Sequence, residues 1–258
     1  MVQYSTDYTL QELMLVELSR EVKNGDIVII GTGIPLLGVF LAQLTHAPDV
    51  FAVTEAGPIG INPERLPFSV ADPCITTGAY MVGGLLEALG LIHSGQVDLG
   101  FLGGAQIDKY GNLNTTCIGP YHQPVIRLPG SGGANDIASC CKRTVITMTH
   151  RKDKFVEKLD YLTTPGYLGG GLERERLGFP GKGPVKVVSN LGVFRFDETT
   201  KEMYIASYHP GVTIEKIKEN TGWDIKCGDQ VTETEPPTVE QIKLLRELDP
   251  AGVFLQKN

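Results

Sequence analysis

The first residue in this chain whose type and setting point to chemistry is Glu55. It ends the apolar run Val50-Phe51-Ala52-Val53-Thr54, and Ala56-Gly57-Pro58 breaks the run immediately after it. A short stretch rich in Val and Phe between turn signals reads as a buried parallel strand, which places Glu55 at or just past the strand's carboxyl end. In open α/β sheets that edge is where ligands bind. The alternative is a glutamate that caps a loop amide or pairs with a nearby arginine.

Glycine clusters follow other apolar runs. Ile27-Val28-Ile29-Ile30 leads into Gly31-Thr32-Gly33-Ile34-Pro35, a strand and glycine turn before an apolar helix from about Leu36 to Leu44. The pattern resembles a phosphate-binding turn, although the third glycine of a dinucleotide fingerprint is missing. Val97 to Leu102 delivers the chain to Gly103-Gly104-Ala105-Gln106-Ile107-Asp108. Two adjacent glycines there mean a close approach to the backbone, by a ligand or by tight packing of strand against helix. In Pro129-Gly130-Ser131-Gly132-Gly133-Ala134-Asn135-Asp136, Gly130, Gly132 and Gly133 can aim successive amides at one anion. Asn135-Asp136 can then cap the next helix, and without a ligand the segment is only a turn. The strand ends at Thr32, Glu55 and Gly103, with this glycine nest, suit anionic substrates and backbone stabilisation of a developing charge.

The elements that must hold these residues are read from periodicity. Thr9-Leu10-Gln11-Glu12 is a capping box, and Leu10, Met14, Leu18 and Val22 recur at i+4, which predicts an amphipathic first helix stopped by Asn24-Gly25. Ile59 to Thr77 reads as a long irregular loop in which Arg65 or Ser69 can serve a ligand or the surface. Gly78 to His93 reads as a helix, with Gly83-Gly84 allowing close packing on the sheet and His93 as a dipole partner at its end. Arg143 to Thr149 is a further strand. Gly166 to Gly183, with seven glycines and Glu173-Arg174-Glu175-Arg176, reads as a loop or flap outside the core. Val185 to Phe196 and Met203 to Ser207 read as a hairpin about Asp197-Glu198-Thr199-Thr200, and Thr238-Val239-Glu240-Gln241 opens a last helix closed by Asp249-Pro250. No repeat or linker divides residues 1–258, so one domain is expected.

Composition narrows the classes. A net charge of −7 without a Lys/Arg cluster argues against nucleic acid. No run reaches the roughly 18 apolar residues of a membrane span, and the first residues lack the pattern of a secretion signal, so a cytoplasmic protein is expected. Five cysteines without a CxxC pair argue against a disulfide framework and a zinc site. No metal is expected.

These motifs, in this order, resemble the β subunit of the family I CoA-transferases, most closely the glutaconate CoA-transferase branch. The likeness covers nearly the whole chain: Gly31-Thr32-Gly33 with Pro35-Leu36, Ala47-Pro48-Asp49, Glu55 with Gly57, Gly103 to Asp108, Tyr110-Gly111-Asn112, Gly130 to Asn135, and Glu173 to Gly178. It implies an α/β fold of three layers, an open sheet of mainly parallel strands, as in the CoA-transferase and sugar-phosphate isomerase superfamily. By the resemblance Glu55 is the nucleophile, forming an acyl-glutamyl anhydride and then a glutamyl-CoA thioester, with ping-pong kinetics. The family's glutamate stands in a Ser-Glu-Asn-Gly or Glu-Ser-Gly context, where this chain has Thr54-Glu55-Ala56-Gly57; Ala56 removes a possible hydrogen-bonding side chain. The amides of Gly130, Gly132, Gly133 and Asn135 become candidates for the oxyanion. Gly103, Gly104 and Gln106 become candidates to line the cleft, with Gln106 on a substrate carboxylate or the pantetheine amide.

Coenzyme A enters as a substrate and no cofactor is implied. The partners implied are a distinct α subunit, an acyl-CoA and a carboxylic acid, in a hetero-oligomer of αβ pairs; a dicarboxylic acid such as glutaconate fits the branch. The rival on the same scaffold is an acyl-CoA hydrolase of ring-cleavage thioesters, whose β subunits share motifs such as Val188 to Phe194 and His209-Pro210-Gly211. Decarboxylating or hydrolysing lineages have lost the glutamate, so Glu55 favours transfer. A Rossmann-like nucleotide or sugar-phosphate sensor built on Gly31 and Gly33 ranks below both.

Overall fold

The computed structural model describes residues 2–31, 33–63, 65–69 and 72–255, so the strand-end position assigned to Thr32 lies outside the described residues. The chain gathers into two compact units, Met1–Phe101 with Glu235–Asn258, and Leu102–Thr234.

The first unit opens with α1 (Leu10–Ser19), held by the expected capping box: the Glu12 amide donates to Thr9 Oγ1 at 3.2 Å and the Thr9 amide to Glu12 Oε2 at 2.7 Å. Next come β1 (Ile27–Ile30), α2 (Ile34–Leu44), β2 (Phe51–Thr54), β3 (Pro58–Ile59), β4 (Met81–Val82), α3 (Leu85–His93) and β5 (Leu99–Leu102). The strand order is β5-β1-β2-β3-β4. β1 is parallel to both β5 and β2, whereas β2-β3 and β3-β4 are antiparallel. Apart from Thr54, the residues of β1, β2 and β5 are apolar because both faces of these strands are covered. Leu15 and Val16 of α1, Leu37 and Leu41 of α2, and Leu245 of the C-terminal helix Val239–Leu248 pack into one buried cluster.

Two sequence expectations change here. The helix expected from Gly78 starts only at Leu85, because Gly83-Gly84 interrupts it; Met81 and Val82 form an edge strand instead. Glu87 caps the shortened helix by accepting from the Gly84 amide at 2.7 Å. Within the long loop, Asp72 caps a single 3₁₀ turn, Pro73–Thr76, and Arg65 grips Asp72 with two hydrogen bonds of 2.9 Å. The Arg65 guanidinium holds the Asp72 carboxyl well below the usual carboxylate range. Arg65 therefore serves the loop.

The second unit contains β6 (Gln106–Ile107), β7 (Leu113–Asn114), β8 (Cys117–Ile118), β9 (Ile126–Arg127), α4 (Ala134–Cys140), β10 (Arg143–Met148), α5 (Glu173–Arg176), β11 (Pro184–Ser189), β12 (Gly192–Phe196), β13 (Met203–Tyr208), α6 (Ile214–Glu219) and β14 (Lys226–Glu233). Its main strands run β10-β11-β12-β13-β14, parallel at the first and last pairings and antiparallel between. The stretch Val185 to Phe196, expected as one strand, folds back at Asn190-Leu191. Ser189 causes the reversal: its Oγ accepts from the amides of Leu191 and Gly192 at 3.1 and 3.3 Å. Beneath these strands His150 stacks on Phe155 with centroids 3.6 Å apart, and Phe155 neighbours Phe194 and Trp223.

The Gly166 to Gly183 segment is no flap. Arg174 is buried, and its guanidinium donates to the carbonyls of Gly181, Pro165, Gly166, Ala138 and Ser139 at 2.6 to 3.2 Å. Ala138 and Ser139 lie in the last turn of α4, whose carbonyls have no helical partner, so the cation meets the negative end of that helix. Asn112 clips the same segment, accepting from the Gly166 and Leu168 amides and donating to the Leu168 carbonyl.

Candidate active site

Glu55 is the first residue beyond β2, as the apolar run predicts. The parallel register sets Ile30 opposite Thr54, so Gly31 after β1 and Glu55 after β2 leave the same edge of the sheet. A tight turn then reverses the chain, with the Gly57 amide donating to the Thr54 carbonyl at 3.0 Å. Gly57 has φ +115°, and a β-carbon there would overlap the Gly83 carbonyl. Only glycine permits both features. The Gly83 amide closes the contact by donating to the Gly57 carbonyl at 3.2 Å. The expected close packing of Gly83 is thus directed at the turn that carries Glu55.

The Glu55 side chain is half-buried, and among the described residues no group hydrogen-bonds to its carboxylate or forms an ion pair with it. It neither caps a described loop amide nor pairs with a described arginine. Burial pushes its pKa up from the ordinary glutamate value. A half-buried carboxylate without a salt-bridge partner keeps an oxygen lone pair available to an incoming carbon.

The remaining predicted residues belong to the second unit. Gly103 is exposed, and a β-carbon on it would approach the Thr147 carbonyl to 3.3 Å; one on Gly104 would meet Leu113 Cδ2 at 3.1 Å. For these two glycines the close neighbours are the protein's own atoms. Gln106 is buried and hydrogen-bonded on the same unit. It donates to Asp160 Oδ2 at 3.0 Å, and its amide oxygen accepts from Asn114 Nδ2 at 2.8 Å and the Asp160 amide at 3.1 Å. These contacts tie Gln106 to Asn114 and Asp160.

Of the glycine-loop amides, Gly130 donates to the Thr115 carbonyl at 2.8 Å and Asn135 to Ser131 Oγ at 3.1 Å. Asn135 Nδ2 donates to the Thr163 carbonyl at 2.9 Å. Gly132, at φ +49°, and Gly133, the N-cap of α4, have amides that no described group takes. Two of the four expected anion donors remain.

The structure also joins the two glycine segments, which the sequence left separate. Asn114 bonds Gln106 on one side, and its Oδ1 accepts from the Thr116 amide at 2.9 Å. Thr116 meets Thr163 at 2.7 Å, Thr163 holds Asn135, and Thr115 Oγ1 donates to the Gly130 carbonyl at 2.8 Å. Asn114, Thr115, Thr163 and Asp160 carry this network. Hydroxyls and amides scattered over some fifty positions give no periodic signal. The His209 motif is likewise framework: His209 is buried, with its ring nitrogens on Thr234 Oγ1 and the Ser189 carbonyl.

Comparison with known proteins identifies the family of this α/β chain. Residues 12–220 match the coenzyme A transferase family, and the chain belongs to that family. It is 43% identical over 260 residues to the B subunit of glutaconate CoA-transferase from Acidaminococcus fermentans, covering 97% of this chain and 96% of that protein. It is 42% identical to the B subunit of 3-oxoadipate CoA-transferase from Pseudomonas knackmussii, over 94% of each. The crystal structure of the Acidaminococcus glutaconate coenzyme A-transferase matches with a TM-score of 0.92 at 41% identity, over 99% of this chain and 100% of that one. No helix among the described residues is long and apolar enough to cross a membrane.

Proposed function

We propose that this chain is the B-type subunit of a cytoplasmic CoA-transferase that moves CoA between an acyl-CoA and a free dicarboxylic acid, with Glu55 as the covalent relay. It works with a second, different subunit in an assembly of αβ pairs. The observation that carries the proposal is Glu55 itself: a half-buried, unpaired carboxylate at the carboxyl end of a parallel strand. The names of its relatives, both B subunits of CoA-transferases, support the reaction class and the second subunit.

In the proposed reaction a Glu55 oxygen attacks the thioester carbonyl. The carbon–sulfur bond breaks, CoA leaves as thiolate, and a mixed anhydride remains. The thiolate then attacks the glutamyl carbonyl, the anhydride carbon–oxygen bond breaks, and the first acid departs as carboxylate. The acceptor acid runs the two steps in reverse. Each step exchanges an acyl group between a carboxylate and a thiolate, so no net proton or electron is required. Partial desolvation makes the carboxylate a stronger nucleophile provided it stays ionised. The amides of Gly132 and Gly133 are the donors proposed for a substrate oxyanion, where loss of one such donor costs about 3 kcal/mol in the barrier.

Borohydride trapping tests the relay. The two-subunit enzyme is mixed with acyl-CoA and reduced, and peptide mass spectrometry reads residue 55. Reduction of Glu55 to its alcohol, dependent on acyl-CoA, is the expected result. Turnover that leaves Glu55 intact, or CoA release at a rate indifferent to the acceptor acid, refutes covalent transfer and marks a hydrolase.

A further inference from the structure

Arg127 is a cation that the second unit positions and leaves without a carboxylate. It stands in β9, opposite Cys117 of β8. Its guanidinium lies 5.0 Å over the ring of Tyr121 and donates to the Tyr121 carbonyl at 2.8 Å. Tyr121 is held in turn, stacked on Tyr161 with ring centroids 5.2 Å apart. Other arginines of the chain meet acids: Arg65 pairs with Asp72, Arg151 with Asp153 and Arg246 with Glu12. Among the described residues no carboxylate pairs with Arg127, although it is exposed and the chain carries a net charge of −7. Between Asp108 and Asp136 the sequence has no acidic residue. Asp160 reaches this hairpin, and its Oδ2 accepts from the Gly119 amide and from Gln106, both at 3.0 Å. An arginine fixed on an aromatic ring, with the rest of its planar fork open, is pre-organised for a bidentate anion.

The strand that carries Arg127 runs on into the glycine loop. The Leu128 amide donates to the Thr116 carbonyl at 3.0 Å and the Gly130 amide to the Thr115 carbonyl at 2.8 Å, so the ladder continues from Ile126 to Gly130. Gly130 then takes φ +93°, and the open amides of Gly132 and Gly133 follow. Three residues of extended chain, about 10 Å, separate Arg127 from Gly130, a span that an arginine side chain and a short diacid together bridge. We propose that Arg127 selects the acid that this enzyme transfers, its guanidinium gripping the carboxylate remote from the thioester. The inference rests on the transferase reading above and on the Gly132 and Gly133 amides as the oxyanion donors. CoA brings anions of its own, but its phosphates lie at the far end of the pantetheine arm, whereas the second carboxylate of a short dicarboxylic acid lies a few bonds from the reacting carbon. A monocarboxylic acid leaves the fork with water, and the difference in binding between the two acids is the specificity.

The test uses the two-subunit enzyme and acids paired by length, glutarate with pentanoate and adipate with hexanoate. Wild type is expected to prefer each diacid by kcat/KM. Arg127→Met should reduce that preference at least about tenfold through a higher KM for the diacid, with Arg127→Lys in between. A wild type without the preference, or an Arg127→Met enzyme that loses as much with the monoacids, overturns the proposal. So does a loss confined to the KM for acyl-CoA that vanishes with dephospho-CoA esters, because the arginine then serves the coenzyme's phosphate. Phenylglyoxal labelling of wild type covers a misfolded variant and needs no turnover. Peptide mass spectrometry at Arg127 should show that a diacid protects at least about tenfold better than its monoacid. Equal protection by the two refutes the assignment. Glu55 left untrapped in an enzyme whose Arg127 the diacid protects defeats the transferase reading alone.

Discussion

At the scale of single residues, Glu55 and two buried groups make different claims. Glu55→Gln removes the nucleophile and is expected to lower transfer by more than about 1,000-fold, read as kcat in a coupled assay. Burial raises the Glu55 pKa in the fold, so ionising it costs stability above the unfolded glutamate's pKa, and that cost vanishes as pH falls. The thermal midpoint of Glu55→Gln at neutral pH should therefore equal or exceed wild type. The acid limb of the transfer rate should lie at higher pH than for an ordinary glutamate. A lower midpoint for the variant would contradict this account. His150 behaves oppositely: burial lowers its pKa to about 3. The unfolded chain then takes up a proton that the fold refuses, and stability falls as pH drops from about 6.5 toward 3. Urea unfolding across that range should show the loss in wild type and a shallower loss in His150→Gln. Arg174 answers five carbonyls from a planar fork. Arg174→Lys lacks that geometry, and both it and Arg174→Ala should lose roughly 3 kcal/mol by denaturant titration.

Among the elements, the turn after β2 matters most. A β-carbon at position 57 collides with the backbone of Gly83 and Gly84, whereas one at position 83 meets the side chain of Glu87. The overlap at position 57 is the deeper and falls on backbone atoms, and Gly57 alone of the two has a positive φ. Gly57→Ala should therefore cost on the order of 1–3 kcal/mol and displace Glu55, lowering kcat, with Gly83→Ala milder in both measurements. Equal effects from the two substitutions would show that the Gly57–Gly83 contact does not position the carboxylate. The elements also show where periodicity succeeds. β1, β2 and β5 were legible because strands covered on both faces are continuously apolar. β14 was not: Lys226-Cys227-Gly228-Asp229-Gln230-Val231-Thr232-Glu233 is mostly exposed and carries no alternation.

Across the whole molecule, the sequence alone determined the α/β class, the capping boxes of α1 and the C-terminal helix, the strand-end position of Glu55 and the family resemblance. These follow from local causes: apolar period, turn residues and short motifs act within a few positions of one another. Tertiary structure decided what depends on distant partners. The hydrogen-bond partner of Gln106, Asp160, stands 54 positions away in sequence. Whether Arg174 stood on a flap or in the core was settled by the carbonyls at the end of α4. Which amides of the glycine loop remained open depended on Thr115 and the Ser131 hydroxyl. A polar group's type records that it must be satisfied when buried, but only the folded chain supplies the partner.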